Sequence, residues 1–326
     1  MLVTKTPLRI SFVGGGSDMP SFYEKTEGAV ISASISKYIY LTVNKKFGGD
    51  IRVSYSKTEI TDNIEKIEHP IVRESLKSCQ ITNSIEISSL ADIPSKGSGL
   101  GSSSAFTVGL LNALYAFDGK YLSNEELAYK ACNIEINKCQ EPIGKQDQFG
   151  TAIGGIKELR FKQNGEVKVS KPFVSKERLK FFSDNLIMFY TGKTRSASKI
   201  LKEQSKELSE NHKKHEIVKE MVNLVDSFRY ELTQGDINNL GHILHENWIR
   251  KSSIVKDITN SWINDAYKLA LESGATGGKI LGAGNGGFFL FVAPPYKHQE
   301  IITKLGKMEK FDFTFDQKGT QVVYKD

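Results

Sequence analysis

The chain has 326 residues with 39% hydrophobic and 25% charged side chains, and 44 Lys and Arg against 38 Asp and Glu give a net charge of +6. That composition excludes wholesale disorder, and no run approaches the ~20 apolar residues of a membrane span. The lysines are scattered rather than clustered, so nucleic-acid binding is not suggested, whereas a mild positive field suits anionic ligands such as phosphates.

The length lies between one large domain and two ordinary ones, and two lobes sharing a cleft are expected. Three cysteines, Cys79, Cys132 and Cys139, match no zinc or redox spacing and read as reduced thiols. The start "MLVTKTPLRISFVGGG" lacks the charged beginning and continuous apolar run of a signal peptide, so a cytoplasmic protein is expected.

In chain order, "RISFV" (9–13), "AVISASISKYIYLTV" (29–43) and "IRVSYS" (51–56) are β-branched and aromatic runs between Gly and Asp clusters, and they predict strands. "NSIEISSLADIP" (83–94) predicts another strand, leading into the glycine-rich "SKGSGLGSSSA". Phe106, Leu110, Leu114 and Phe117 form a helical stripe over 102–119, so Ser102, Ser103 and Ser104 sit at a helix N-terminus. Ser123 and Glu126 form a capping box that starts a second helix running to about Cys139. A loop is expected at "GKQDQFG" (144–150) and a strand at "LIMFYTG" (186–192). Three amphipathic helical segments follow, over 196–233, 236–251 and 259–273. Then come strand, glycine loop and strand over 277–295, and a final helix and strand. A boundary is placed near 180, giving units 1–180 and 181–326.

Three glycine-rich segments compete as phosphate sites. "GAGNGG" (282–287) has dinucleotide-fingerprint spacing, but "FFLFV" after it is a strand where a helix is required. "TGKT" (191–194) ends like a P-loop, yet Ile187 stands where a glycine is needed, and no HRD or DFG tripeptide supports a protein kinase. Gly97, Gly99 and Gly101 survive: without Cβ atoms the backbone N–H groups approach an anion, and the following helix turns its positive end to the same place. Polyphosphate fits there, and a serine hydroxyl there could coordinate Mg²⁺. The plain structural alternative is a flexible loop with a serine N-cap.

Glu135 lies near the stripe of Leu127, Ala131 and Ile134, where a carboxylate must be paired or metal-bound, or else reach water or a lysine at the stripe's edge. Asp147 is a turn former or a carboxylate that orients an attacking hydroxyl and accepts its proton. At the N-terminus Gly15 and Gly16 let backbone approach a ligand or simply turn the chain, Ser17 follows, and Asp18 could accept hydrogen bonds from hydroxyls. Arg9 could hold substrate or pair with a carboxylate. Arg195 and Lys193, with Ser196 at a helix start, are candidate donors to a substrate phosphate, against an ordinary reading as solvated charges.

Together, "TPLRISFVGGGSD", "PSKGSGLGSSSA" (94–105) and "KILGAGNGGFFL" (279–290) resemble, in order and spacing, the three motifs of the GHMP kinases, the family of galactokinase, homoserine kinase, mevalonate kinase and phosphomevalonate kinase. The resemblance covers effectively the whole chain. It implies an α/β (α+β) fold of two lobes: an N-terminal lobe with a left-handed βαβ unit, and a ferredoxin-like C-terminal lobe. It implies ATP across Gly97, Ser98, Gly99, Leu100, Gly101, Ser102, Ser103 and Ser104, Mg²⁺ on Ser103 and Glu135, and Asp147 as catalytic aspartate. Substrate would meet Arg9, Gly15, Gly16, Ser17, Asp18, Asp147, Lys193, Arg195, Gly284 and Gly286. "GGGSD" stands where galactokinases have "GEHTD", which argues against galactose. The strings "GSGLGSSSAF", "GKQDQFG" and "YTGKTRSAS" look most like bacterial D-glycero-D-manno-heptose 7-phosphate kinases, implying phosphorylation of the anomeric hydroxyl to the 1,7-bisphosphate in nucleotide-activated heptose synthesis. A fucokinase-like or other anomeric sugar kinase is the first alternative. A catalytically inactive sugar or nucleotide sensor is the second, although it predicts a broken acidic pair and Glu135 and Asp147 are intact. The expected partner is a small-molecule sugar phosphate, with neither nucleic acid nor membrane, and the oligomeric state stays open between monomer and homodimer.

Overall fold

The computed structural model describes residues 1–93, 97–193 and 197–326. The β-branched N-terminal run forms β1 (Leu2–Val13), which passes through the short helix α1 (Pro20–Tyr23) into the long β2 (Gly28–Lys45). β1 and β2 pair antiparallel along most of their length, with a register shift between Pro7 and Leu8. β3 (Ile51–Ser54), β4 (Thr58–Thr61), α2 (Pro70–Ser78) and β5 (Ile85–Ala91) follow. β5 pairs antiparallel with β2 and parallel with β3, the one parallel pairing among the described strands.

The helices α3 (Ser102–Phe117), α4 (Asn124–Cys132) and α5 (Gln146–Ala152) precede β6 (Ile156–Phe161) and β7 (Val167–Ser170). β6 pairs with the first part of β2, residues 28–33, and β5 with its second part, residues 39–45. β2 therefore spans both wings of a mixed eight-stranded sheet. α3 lies in the core and is buried nearly all round, rather than along the single stripe that Phe106, Leu110, Leu114 and Phe117 suggest.

After α6 (Lys176–Asp184) and β8 (Leu186–Tyr190), four helices occur where three were expected: α7 (Ala197–Glu210), α8 (His212–Thr233), α9 (Asn239–Ser252) and α10 (Ser261–Glu272). The 196–233 segment breaks at Asn211, whose side chain accepts hydrogen bonds from the Lys213 and Lys214 N–H groups as the N-cap of α8. β9 (Gly277–Ile280), β10 (Phe288–Val292), α11 (Pro295–Lys304) and β11 (Glu309–Lys310) complete a second sheet. Its order, β11-β8-β10-β9, is antiparallel throughout, and numbered within the lobe it runs four-one-three-two, the ferredoxin-like arrangement.

The last strand, β12 (Gln321–Lys325), returns to the first sheet and pairs with β1. Thr6 and Thr320 hydroxyls share a buried hydrogen bond of 2.7 Å beside that junction. In the other direction Met19 and Phe22 pack into the second lobe's core beside Phe189, Trp248 and Phe289. Each lobe thus buries residues from the far end of the chain, and the three glycine motifs meet between them. No described helix is long and apolar enough to cross a membrane.

Candidate active site

Gly97, Gly99 and Gly101 all have φ near +75°, the left-handed backbone that side chains avoid and that curls successive N–H groups toward an anion. Gly101 precedes α3, whose first N–H groups have no carbonyl partner within the helix. The loop's other side packs on the third motif. A Cβ on Gly99 would overlap the Leu281 carbonyl oxygen, one on Gly282 would meet the Gly99 Cα at 2.5 Å, and one on Gly287 would overlap the Ser98 carbonyl. From the first motif, Arg9 donates through Nη1 to the Gly99 carbonyl at 2.7 Å, and its own N–H bonds the Leu100 carbonyl at 2.9 Å. Three motifs distant in sequence thus form one backbone-to-backbone junction, and the glycines are there because nothing larger fits.

Beside the loop lies a cavity of about 300 Å³ walled by Ile39, Tyr55, His69, Ile93 and Phe106, with Ser102 and Ser103 on its rim. His69 stacks on Phe106 and meets Tyr55 edge-on. An aromatic slot abutting an anion-binding helix end suits a nucleotide, whose base is flat and apolar and whose phosphates are charged. Sequence reading assigned Phe106 to the core and passed over Tyr55 and His69.

Glu135 sits in a stretch where the helix widens. After α4, residues 133–138 wind as a π-helical turn, with the Cys139 N–H bonding the Ile134 carbonyl five residues back. The wider turn carries Glu135 fully into the interior, where it accepts hydrogen bonds from Ser103 Oγ (2.8 Å), Ser104 Oγ (2.8 Å) and Gln148 Nε2 (2.7 Å). Burial pushes its carboxyl up to about 7, although those three donors pull the other way; the Asp147 charge adds to the rise. The carboxylate therefore has neutral donors and unmet demand for positive charge. A carboxylate and hydroxyls at the edge of a phosphate loop are the hard oxygen donors that Mg²⁺ prefers, so these residues fit the ion. Ser103 is exposed and Ser104 is buried, so of the two hydroxyls on Glu135 it is Ser103 that faces the cleft.

Asp147 opens α5 rather than lying in a loop. The helix starts there because Asp18 caps it from across the fold: its Oδ2 accepts from the Gln146 N–H and its backbone carbonyl from the Lys145 N–H, both at 3.2 Å. Arg9, only 3% exposed, grips Asp147 through both branches, Nε to Oδ1 at 2.8 Å and Nη2 to Oδ2 at 2.7 Å, while Asp147 stays 28% exposed. A locked carboxylate with a wet face is positioned to take a proton from a hydroxyl. Asp18 also receives the Gly16 N–H at 3.0 Å and Gln146 Nε2 at 3.2 Å; burial, and then Asp147, push its carboxyl above the usual range.

These groups line a small cavity of about 50 Å³ together with Gly16, Gly144, Gln204, Lys251, Gly282 and Ala283. Of the other expected substrate residues that are described, Gly15, Ser17, Lys193, Gly284 and Gly286 are not part of that lining, although Gly15 abuts it. The Ser17 hydroxyl is tied to the Ala29 backbone on β2. Gly15 faces the Lys251 Nζ, the Ser11 Oγ and the Gln146 amide. Gly284 packs on the Ile258 backbone and Gly286 on that of Lys193, whose Nζ sits 4.7 Å above the Trp262 ring. Arg195 and Ser196, like Pro94, Ser95 and Lys96, lie outside the described residues. Sequence reading missed Lys251, which is 4% exposed and donates to the Gly282 carbonyl at 3.1 Å. As a lysine in the last turn of α9 it looks like any solvated C-terminal charge, and nothing local marks it.

Comparison with known proteins bears on the same elements. Residues 70–155 match the GHMP kinases N terminal domain and residues 228–309 the GHMP kinases C terminal region. A D-glycero-alpha-D-manno-heptose 7-phosphate kinase of Campylobacter jejuni is 29% identical over 98% of this chain and 97% of that one. The bifunctional fucokinase/GDP-fucose pyrophosphorylase of Arabidopsis thaliana is 25% identical over 94% of this chain, but over 31% of its own length. In structure, a D-glycero-D-manno-heptose 1-phosphate kinase from Bacteroides thetaiotaomicron superposes with a TM-score of 0.83 at 22% identity, covering 100% of both chains. With both domain matches in order over more than half of its length, and a junction of three glycine motifs between two lobes, the chain belongs to the GHMP kinases, ATP-dependent phosphotransferases.

Proposed function

We propose that the protein phosphorylates the anomeric hydroxyl of D-glycero-D-manno-heptose 7-phosphate, giving the 1,7-bisphosphate. The observation that carries the reaction type is the Arg9–Asp147 pair set beside the loop at the start of α3. ATP would place its base in the aromatic slot and its phosphates along Gly97–Ser104, with Asp147 facing the acceptor. Asp147 orients the C1 hydroxyl and takes its proton as the oxygen attacks the γ-phosphorus, whose bond to the β,γ-bridging oxygen breaks to release ADP. Arg9 keeps the carboxylate aimed by holding both of its oxygens. Because phosphoryl transfer passes through a loose transition state in most analyses, this positioning matters more than the strength of the base. Mg²⁺ held by Glu135 and Ser103 would supply charge neutralisation to the ATP phosphates.

The heptose phosphate itself is supported by the Campylobacter relative, similar over nearly the whole of both chains. A phosphorylated acceptor needs cationic donors; of the described cations Arg9 and Lys251 line the pocket. The Arabidopsis relative favours a second reading, a fucokinase-like activity on an unphosphorylated sugar. ADP release measured over D-glycero-D-manno-heptose 7-phosphate, L-fucose and D-galactose decides between them. Turnover fastest with the heptose phosphate is expected. Turnover with fucose alone replaces the first reading by the second, and ADP release with no sugar at all overturns both.

A further inference from the structure

Gln204, on α7, is fully buried, yet neither its Oε1 nor its Nε2 has a hydrogen-bond partner among the described residues. Native proteins pair almost all buried polar side chains, and an amide left with both ends unmet calls for a missing partner. Gln204 lines the pocket that holds Arg9, Asp18 and Asp147. Its amide fills the volume beside Gly16, where a Cβ would overlap Nε2, so the third glycine of "GGGSD" makes room for it. On another element, Gln146 also keeps an unpartnered Oε1 while its Nε2 is held by Asp18. Two amides, one from each lobe, thus bring unmet acceptors and an unmet donor to one cavity.

The chemistry selects the missing partner. At the Gln204 amide a phosphate offers acceptors only and would leave Oε1 facing negative charge, so the acceptor's phosphate is not the group that this amide meets. Hydroxyls donate and accept, so a pair of neighbouring hydroxyls satisfies both ends of Gln204. At about 50 Å³ the cavity holds a water molecule or two, so a sugar enters only if the wall that α7 provides shifts outward. We propose that Gln204 is a specificity residue of the acceptor site: with sugar bound, its Nε2 and Oε1 bond adjacent hydroxyls away from the reacting one, and Gln146 Oε1 accepts from one of them. The proposal rests on the reading of the protein as a sugar kinase, not on the identity of the sugar.

Gln204→Met removes both hydrogen-bonding ends at nearly constant volume. Steady-state ADP release with the best acceptor of the panel above is expected to show an acceptor KM raised tenfold or more. The ATP KM should not move, and the ligand-free protein should melt at or above the wild-type temperature, since an unsatisfied amide has been removed. If fucose proves the acceptor, the heptose reading fails while the same measurement, made with fucose, still tests Gln204. An acceptor KM within twofold of wild type overturns the proposal. So does an equal rise in the acceptor and ATP constants with a lowered melting temperature, which would mark a structural side chain.

Discussion

Replacing Glu135 by Gln should make the protein more stable and nearly inactive. The carboxyl is fully buried, and burial lifts it from an ordinary value of 4.5 to about 7. Between those two values the folded chain holds a proton that the unfolded chain has released. Stability is therefore full below about pH 4.5, falls as pH rises through the window, and stays lost above about 7. At roughly 1.4 kcal/mol per unit the loss amounts to about 3 kcal/mol at pH 8. Glu135→Gln removes the buried charge without changing the volume, and the new amide has a partner waiting, because Gln148 Oε1 is unpartnered among the described residues and a flip of that amide presents it. With unfolding entropy near 2.1 cal/mol/K per residue, 3 kcal/mol corresponds to roughly 4 °C for a chain of this length. Thermal melts in chelator at pH 8 should show the variant higher by about that amount, and at pH 5 the gap should shrink below about 1 kcal/mol. ADP release with Mg²⁺ and ATP should fall at least about a hundredfold, since a charged ligand for the ion is gone. A variant that melts at or below wild type at pH 8 would refute the reasoning, because the carboxylate would then not be strained by its site.

Asp147→Asn keeps an oxygen for Arg9 but cannot accept a proton, so turnover should drop by about 10³ with ATP affinity unchanged by calorimetry; full activity would remove Asp147 from the chemistry. Gly99→Ala and Gly119→Ala both place a side chain at positive φ, which costs about 1 kcal/mol, but only Gly99 also meets backbone, at Leu281, while Gly119 has nothing within 4 Å. Overpacking adds about 1–3 kcal/mol at Gly99, so denaturation should rank that variant clearly lower, and equal losses would mean that the two motifs do not pack as described. Phe106→Ala should raise the ATP KM about tenfold and leave the acceptor KM alone, and the opposite pattern would move the nucleotide out of the aromatic slot.

Features that reside in a few neighbouring residues were legible before any fold was known. The Ser123–Glu126 capping box forms as its spacing dictates, with the Glu126 N–H donating to Ser123 Oγ and the Ser123 N–H to Glu126 Oε2. The runs at 9–13 and 29–43 lie inside β1 and β2, the runs at 51–56 and 83–94 contain the shorter β3 and β5, and the glycine loop does precede a helix at Ser102. These elements are set by backbone sterics and by hydrogen bonds between residues three or four apart, so a short window contains their cause.

What the window lacks is the partner that arrives from elsewhere. Asn211 divides a continuous amphipathic pattern because its cap outcompetes the helix, and α5 begins at Gln146 because Asp18, 128 positions earlier, caps it. The π turn that drives Glu135 inward is held by Ser103, Ser104 and Gln148, and pattern alone could place Glu135 no closer than the edge of a stripe. Gln204 and Lys251 are still harder to find. Each is one polar residue on an unremarkable amphipathic helix, and what distinguishes it is the empty space and the first motif across the cleft. Motif chemistry and local geometry were thus carried by the sequence itself, whereas the company each side chain keeps was decided by tertiary packing, because burial and charge are sums over neighbours that the chain brings together only when it folds.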